Sequence, residues 1–160
     1  MEKFTLRLLS PDDAAWVREF WIEHWGSEIM VAHGEIFHAA GLPGFVVEQD
    51  GQVIGLATYR LQAADCELLS LDSMLAGQGV GTALIEAVAA AARQAGCRRF
   101  YLTTTNDNLS ALRFYQRRGF RLVALRPGAV EQSRKIKPSI PLTGEHGIPI
   151  RDELELEKDL

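Results

Sequence analysis

The chain is short of several things, and each shortage removes a class of function. It has two cysteines in 160 residues, Cys66 and Cys97, too few for a disulfide-stapled scaffold and not in a C-x-x-C arrangement. Its four histidines, His24, His33, His38 and His146, form no metal-ligand spacing with each other or with the cysteines, so no metal is expected. No apolar run approaches the roughly 20 residues of a membrane span. The longest weakly polar run, Ala83 to Ala92, contains Glu86 and reads as a helix in water. Positive charge is not in excess: the net charge is -4, which argues against a nucleic-acid-binding face. The opening residues MEKFTLRLLS carry no apolar signal core. A reducing cytoplasm is therefore the expected location, with neither membrane nor nucleic acid as partner. No G-x-S-x-G elbow suggests a serine hydrolase.

What is present is ordinary globular material, 47% hydrophobic and 24% charged. At roughly 150 residues per domain, residues 1–160 are expected to form a single domain. Residues 4–9 read as a strand. Ser10-Pro11-Asp12-Asp13 is a helix start, with a capping residue, a first-turn proline and acidic groups at the positive end. Trp16, Val17, Phe20, Trp21 and Trp25 follow at helical spacing up to Gly26, as a buried face or in part a pocket lining. Residues 45–61 read as a hairpin about Asp50-Gly51, and Cys66–Met74 as another strand. Gly79–Ala95 is a helix with Val80, Leu84, Val88, Ala91 and Ala95 on one face. Arg98–Thr105 is a strand, Asn108–Arg118 a short helix, Phe120–Leu125 a strand. The alternation of Leu154 and Leu156 with glutamates marks a last strand. The order β-α-β-β-β-α-β-α-β-β predicts an α/β (α+β) fold with mixed strand directions. The 23-residue stretch 127–149 holds four of the six prolines. A connection of that length is usually functional or mobile, and Ala129–Lys137 has room for two helical turns.

The densest chemical signal is Gly77-Gln78-Gly79-Val80-Gly81-Thr82, after a strand and at the start of a helix. Alternating glycines allow close backbone approach and positive φ. The opening amides of a helix converge on one spot where its dipole favours negative charge, which suits phosphate. A Walker loop would need a lysine that is absent, and a dinucleotide fingerprint would need glycine where Thr82 stands. A turn that serves only helix–strand packing is the alternative.

This turn, followed about 25 residues later by N-L-S-A-L-R-F-Y-Q-R-R-G-F (108–120), resembles the GNAT superfamily of N-acetyltransferases. Gly79 and Gly81 match the glycines of the family's [Q/R]-x-x-G-x-[G/A] motif. Asn108, Ala111, Tyr115, Gly119 and Phe120 match its second segment. The element order agrees from residue 4 to 126. The resemblance implies a central, mostly antiparallel sheet flanked by helices and a direct transfer of acetyl from acetyl-CoA, as co-substrate, to a primary amine of a small molecule or protein. It implies that the amides of Gln78, Gly79, Val80, Gly81 and Thr82 bind the pyrophosphate. Backbone around Leu71 and Ser73 would hold the pantetheine arm, and Asn108 would cap its helix and reach the cofactor. Tyr115 would protonate the leaving thiolate. Glu67 is preferred over Asp72 as base, because simple strand alternation puts Glu67 on the face of Leu71. Ala76 replaces the family's Gln or Arg, implying weaker but retained CoA affinity. The 127–149 stretch falls where the family builds its acceptor site and reads as a lid, with Arg134, Lys135 or Lys137 drawing an acidic group, or as a surface loop or dimer contact. By analogy a homodimer is a candidate assembly. The rival functions are a non-catalytic acyl-CoA-binding protein and, more remotely, a nicotinamide-dependent oxidoreductase.

Overall fold

The computed structural model describes residues 4–160. In chain order the elements are β1 (Thr5–Leu8), a 3-10 turn (Pro11–Asp13), α1 (Ala14–Trp25), β2 (Ile29–Ala32), β3 (Glu35–His38), β4 (Gly44–Gln49), β5 (Gln52–Gln62), β6 (Asp65–Ser73), α2 (Val80–Gln94), β7 (Arg99–Thr105), α3 (Leu109–Arg117), β8 (Arg121–Arg126), α4 (Ala129–Ile136), a second 3-10 turn (Glu145–Gly147) and β9 (Glu153–Asp159). The expected order is corrected in one place: a hairpin, β2–β3, stands where no strand was read. Helix α4 takes up the two helical turns for which Ala129–Lys137 has room. The hairpin turn is His33-Gly34, with φ of 41° and 81°. This is the positive-φ pair that a tight hairpin turn requires, here without the usual Asn or Asp.

The chain divides into two compact units. The first comprises the residues up to Ala15, Gly41–Phe100 and Asp159–Leu160. Its strands run β1-β4-β5-β6, each pair antiparallel. Asp50 and Gly51 turn β4 into β5 with φ of 53° and 76°, as the sequence predicts. At the helix start the Ser10 amide donates to Asp13 Oδ2 at 2.8 Å, and Arg7 clamps the same carboxylate.

Helix α2 buries Val80, Gly81, Leu84, Ile85, Val88, Ala89 and Ala92. The expected stripe holds through Val88 and then continues to Ala92, while Ala91 is half-buried and Ala95 exposed. The helix packs on β4, β5 and β6, at a point set by Gly55. A Cβ there would lie 2.5 Å from Val80 Cγ1 and 3.1 Å from Leu84 Cδ1.

The second unit comprises Trp16–Ala40 and Tyr101–Lys158. It holds most of α1, the β2–β3 hairpin, α3, α4 and the strand run β7-β9-β8, with β8 antiparallel to β9. Val17 and Trp21 form the buried face of α1, while Trp25 is exposed.

Candidate active site

Three consecutive features of the first unit build the glycine turn. Strand β6 delivers the chain; Gly77 and Gly79 then take φ of 74° and 78°, a region that costs a side-chain-bearing residue strain. Gly79 is the N-cap of α2 and no side chain caps it. Its carbonyl accepts the first helical bond, from Ala83 at 3.0 Å. The opening amides of α2 thus have no intrahelical carbonyl and no capping side chain, at the positive end of a 15-residue helix. Ser73 ends β6 beside this turn, its hydroxyl donating to the Leu75 carbonyl at 3.2 Å.

Glu67 is 2% exposed and receives a 2.8 Å bond from Arg60 Nη2. It is not a solvated strand carboxylate. Nor does it share a face with Leu71. Pairing runs from Thr58–Ser70 to Tyr59–Leu68, which leaves Leu69 as the extra residue of a bulge. Leu71 and Ser73, opposite Ala57 and Gly55, lie on the face covered by α2. Glu67, opposite Arg60, lies on the other face with Ser70, opposite Thr58, and Asp72, opposite Leu56. Plain alternation fails here because a bulge shifts the two-residue period by one. On the Glu67 face, Thr58 and Ser70 share a hydroxyl–hydroxyl bond of 2.6 Å. The neighbouring Cys66 is fully buried; burial first, then Cys97 and Glu67, push its thiol up to about 12.

In the second unit Asn108 caps α3, its Oδ1 accepting from the Ala111 amide at 3.3 Å, as expected of this residue type. Its Nδ2 donates to Thr104 Oγ1 at 3.2 Å. Tyr115 is 9% exposed, edge-on to Phe114 and Phe120 with centroids 5.3 and 5.4 Å away. The motif positions therefore have local structural uses: Asn108 starts the helix, and Tyr115 and Phe120 pack its end.

The late stretch is tied down. Asn106 Oδ1 accepts from the Arg151 and Asp152 amides, and its Nδ2 donates to the Pro149 carbonyl. Asp107 accepts from Thr105 Oγ1 and the Glu145 amide. Arg134 donates to the carbonyls of Ile140, Pro141 and Ile150 and pairs with Glu131. Lys137 Nζ reaches the carbonyls of Trp25 and Ile29, and its burial lowers its pKa. Arg134 and Lys137 are thus spent on main-chain oxygens, with Glu131 beside Arg134, which corrects the expectation for these two; Lys135, the third cation expected to draw an acidic group, donates to the Gln132 side chain. The segment also lines a cavity of about 450 Å³, with Arg134, Leu142, Ile150 and Arg151 in its wall. Among the described residues, no group of three or more His, Cys, Asp or Glu could hold a metal ion, and no helix is long and apolar enough to cross a membrane.

Residues 13–120 match the acetyltransferase (GNAT) family. The chain belongs to that family. It is 45% identical to YdhI of Bacillus subtilis (strain 168) over 141 residues, 88% of each chain. It is 46% identical to YxbD of the same organism over 145 residues, 90% of this chain and 91% of that one. In fold it is similar to a GNAT family acetyltransferase from Elizabethkingia anophelis with acetyl-CoA bound, at 17% identity, full coverage of both chains and a TM-score of 0.71. The GNAT fold class expected from the sequence, α/β with a mixed, mostly antiparallel sheet and flanking helices, is the one found.

Proposed function

We propose that the protein is an acetyl-CoA-dependent N-acetyltransferase that moves acetyl to a primary amine by direct attack. One observation carries this beyond family membership: a β6–α2 turn whose two positive-φ glycines leave an uncapped helix start. That arrangement suits a pyrophosphate better than it suits packing alone, since a packing turn gains from a side-chain cap. In this reading the amides of Gln78 to Thr82 bind the pyrophosphate, and the missing side chain at Ala76 weakens the contact without removing it. Backbone at Leu71 and Ser73 holds the pantetheine and polarises the thioester carbonyl. Asn108 contributes from the start of α3.

The acceptor nitrogen must be neutral to attack. Glu67, on the face of β6 away from Leu71 and paired with Arg60, takes its proton through water, the amine adds to the thioester carbon, and the C–S bond breaks. Tyr115 then protonates the departing thiolate. The work of the acid is orientation: a phenol of ordinary pKa near 10 gives its proton to a thiolate of ordinary pKa near 8.5 only when held in place. The acceptor is a small molecule or a protein amine, and the stretch 127–149 helps cover it. The likeness to the acetyl-CoA-bound Elizabethkingia enzyme supports the co-substrate.

The test is a thermal-shift titration with acetyl-CoA beside NAD, followed by amine-dependent thiol release. At 100 times its Kd acetyl-CoA stabilises the fold by about 2.7 kcal/mol, and NAD does nothing. Stabilisation by acetyl-CoA with no thiol release for any amine would leave a binding protein rather than an enzyme. No stabilisation would sink both.

A further inference from the structure

Glu153 is 3% exposed at the start of β9. Both its oxygens accept from one donor, the backbone N–H of His33, at 3.1 and 3.2 Å. Among the described residues it has no cation. A carboxylate has about four acceptor sites, and burying its charge is costly unless it is paired. A partner was within reach. Arg126 stands directly opposite Glu153 in the β8–β9 register, yet its Nη2 binds Glu155 and its Nη1 is buried with no partner. The strand pair therefore carries the cation that could neutralise Glu153 and directs it elsewhere.

The donor is also unusual. His33 is the first residue of the β2–β3 turn, held at φ 41°, and its ring packs edge-on to Phe37. Its Nδ1 lies 3.7 Å from Glu35 Oε1, on a side chain that is about half exposed. One turn residue thus meets two carboxylates, buried Glu153 through its amide and half-exposed Glu35 through its ring.

We propose that Glu153, with this turn, is the recognition site for a cationic amine, and that the acceptor is captured as its ammonium ion. The proposal rests on the acetyltransferase reading and names its acceptor class. An ammonium brings three N–H donors and one positive charge, which is what the carboxylate lacks. The hydrogen bond from the His33 amide fixes the carboxylate's position, and charge-assisted bonds are the strong ones. Capture and transfer remain separate: the bound ammonium must lose its proton before its nitrogen attacks, and Glu153 sets which molecules are held.

The experiment follows the His33 amide resonance in 15N-labelled protein at neutral pH. The probes are n-butylamine and putrescine, both cations there, with n-butanol as neutral counterpart. The amines are expected to move the resonance saturably and butanol to leave it in place. Glu153→Gln keeps an oxygen for the His33 amide but loses the charge, so amine affinity should fall about tenfold or more with acetyl-CoA affinity unchanged. If that variant does not fold, Glu153→Asp serves instead: it keeps the charge but withdraws it by one methylene, and amine affinity should again fall. Amine binding that survives the substitution overturns the proposal, as does wild-type protein that binds acetyl-CoA and neither amine. Failure to bind acetyl-CoA is a different result and strikes the acetyltransferase reading itself.

Discussion

Glu67 and Glu153 are buried alike, 2% and 3% exposed, and are answered differently. Glu67 sits within β6 and meets the Arg60 guanidinium of the neighbouring β5 at 2.8 Å. Glu153 begins a strand and meets one backbone amide. The difference separates two uses of a buried charge. A paired carboxylate is part of the framework that holds it, and losing its partner is expensive. A carboxylate held by one neutral donor can be discharged or isosterically replaced at little cost to the fold, so its charge is free for a ligand. Arg60→Met should therefore cost about 3–5 kcal/mol, because it takes the guanidinium away from a buried carboxylate. Glu153→Gln should change stability by less than about 1 kcal/mol, since an amide oxygen still accepts from His33. Urea unfolding of both variants measures the gap, and equal losses would erase the distinction.

Kinetics sharpens the same contrast. If Glu67 is the base, Glu67→Gln lowers kcat by about 100-fold and removes the acidic limb of the pH–rate profile. If Glu153 holds the acceptor, Glu153→Gln raises the acceptor KM at nearly constant kcat. An exchange of these signatures would exchange the roles. Tyr115→Phe isolates the acid. It should lower kcat by about tenfold to 100-fold with acetyl-CoA affinity kept, because Tyr115 packs through its ring against Phe114 and Phe120. An unchanged kcat would leave Tyr115 as a packing residue only.

The uneven legibility of the sequence follows from which signals are local. Gly77 and Gly79, Asp50-Gly51, and Asn108 as a cap could all be read, since the conformations they take depend on the residue itself. Helix α2 could be read from its periodicity. The Leu69 bulge could not, because a bulge is a mismatch between two strands and neither strand shows it alone; the face assigned to Glu67 failed for that reason. Gly55 looked like any strand glycine until Val80 and Leu84 were packed over it. The β2–β3 hairpin was hidden by its four-residue strands and an unusual His-Gly turn. Glu153 read as one of several alternating glutamates, and its distinction lies in where Arg126 and the His33 amide point. Arg134 and Lys137 read as free cations for the corresponding reason: their carbonyl partners come from folding.

The smallest effect concerns Cys66, next to the paired glutamate. Its thiol is pushed up to about 12 from an ordinary 9.0, by burial first and then by Cys97 and Glu67. The folded state thus keeps a proton that the unfolded chain gives up. This stabilising contribution is complete below pH 9, shrinks as the unfolded thiol ionises, and is gone once pH passes the folded value. Cys66→Ala removes a titrating group from both states, so the variant should lose less stability than wild type between neutral pH and pH 10 to 11. Urea midpoints measured stepwise upward would show the two curves converging. Parallel curves would mean that other groups dominate the alkaline loss. Glu67→Gln should give a weaker version of the same convergence, because the Glu67 charge is the last of the three causes. No such effect is expected from Glu153→Gln, which changes a carboxylate in the other unit. That asymmetry makes the thiol a spectator that reports on one buried glutamate and not on the other.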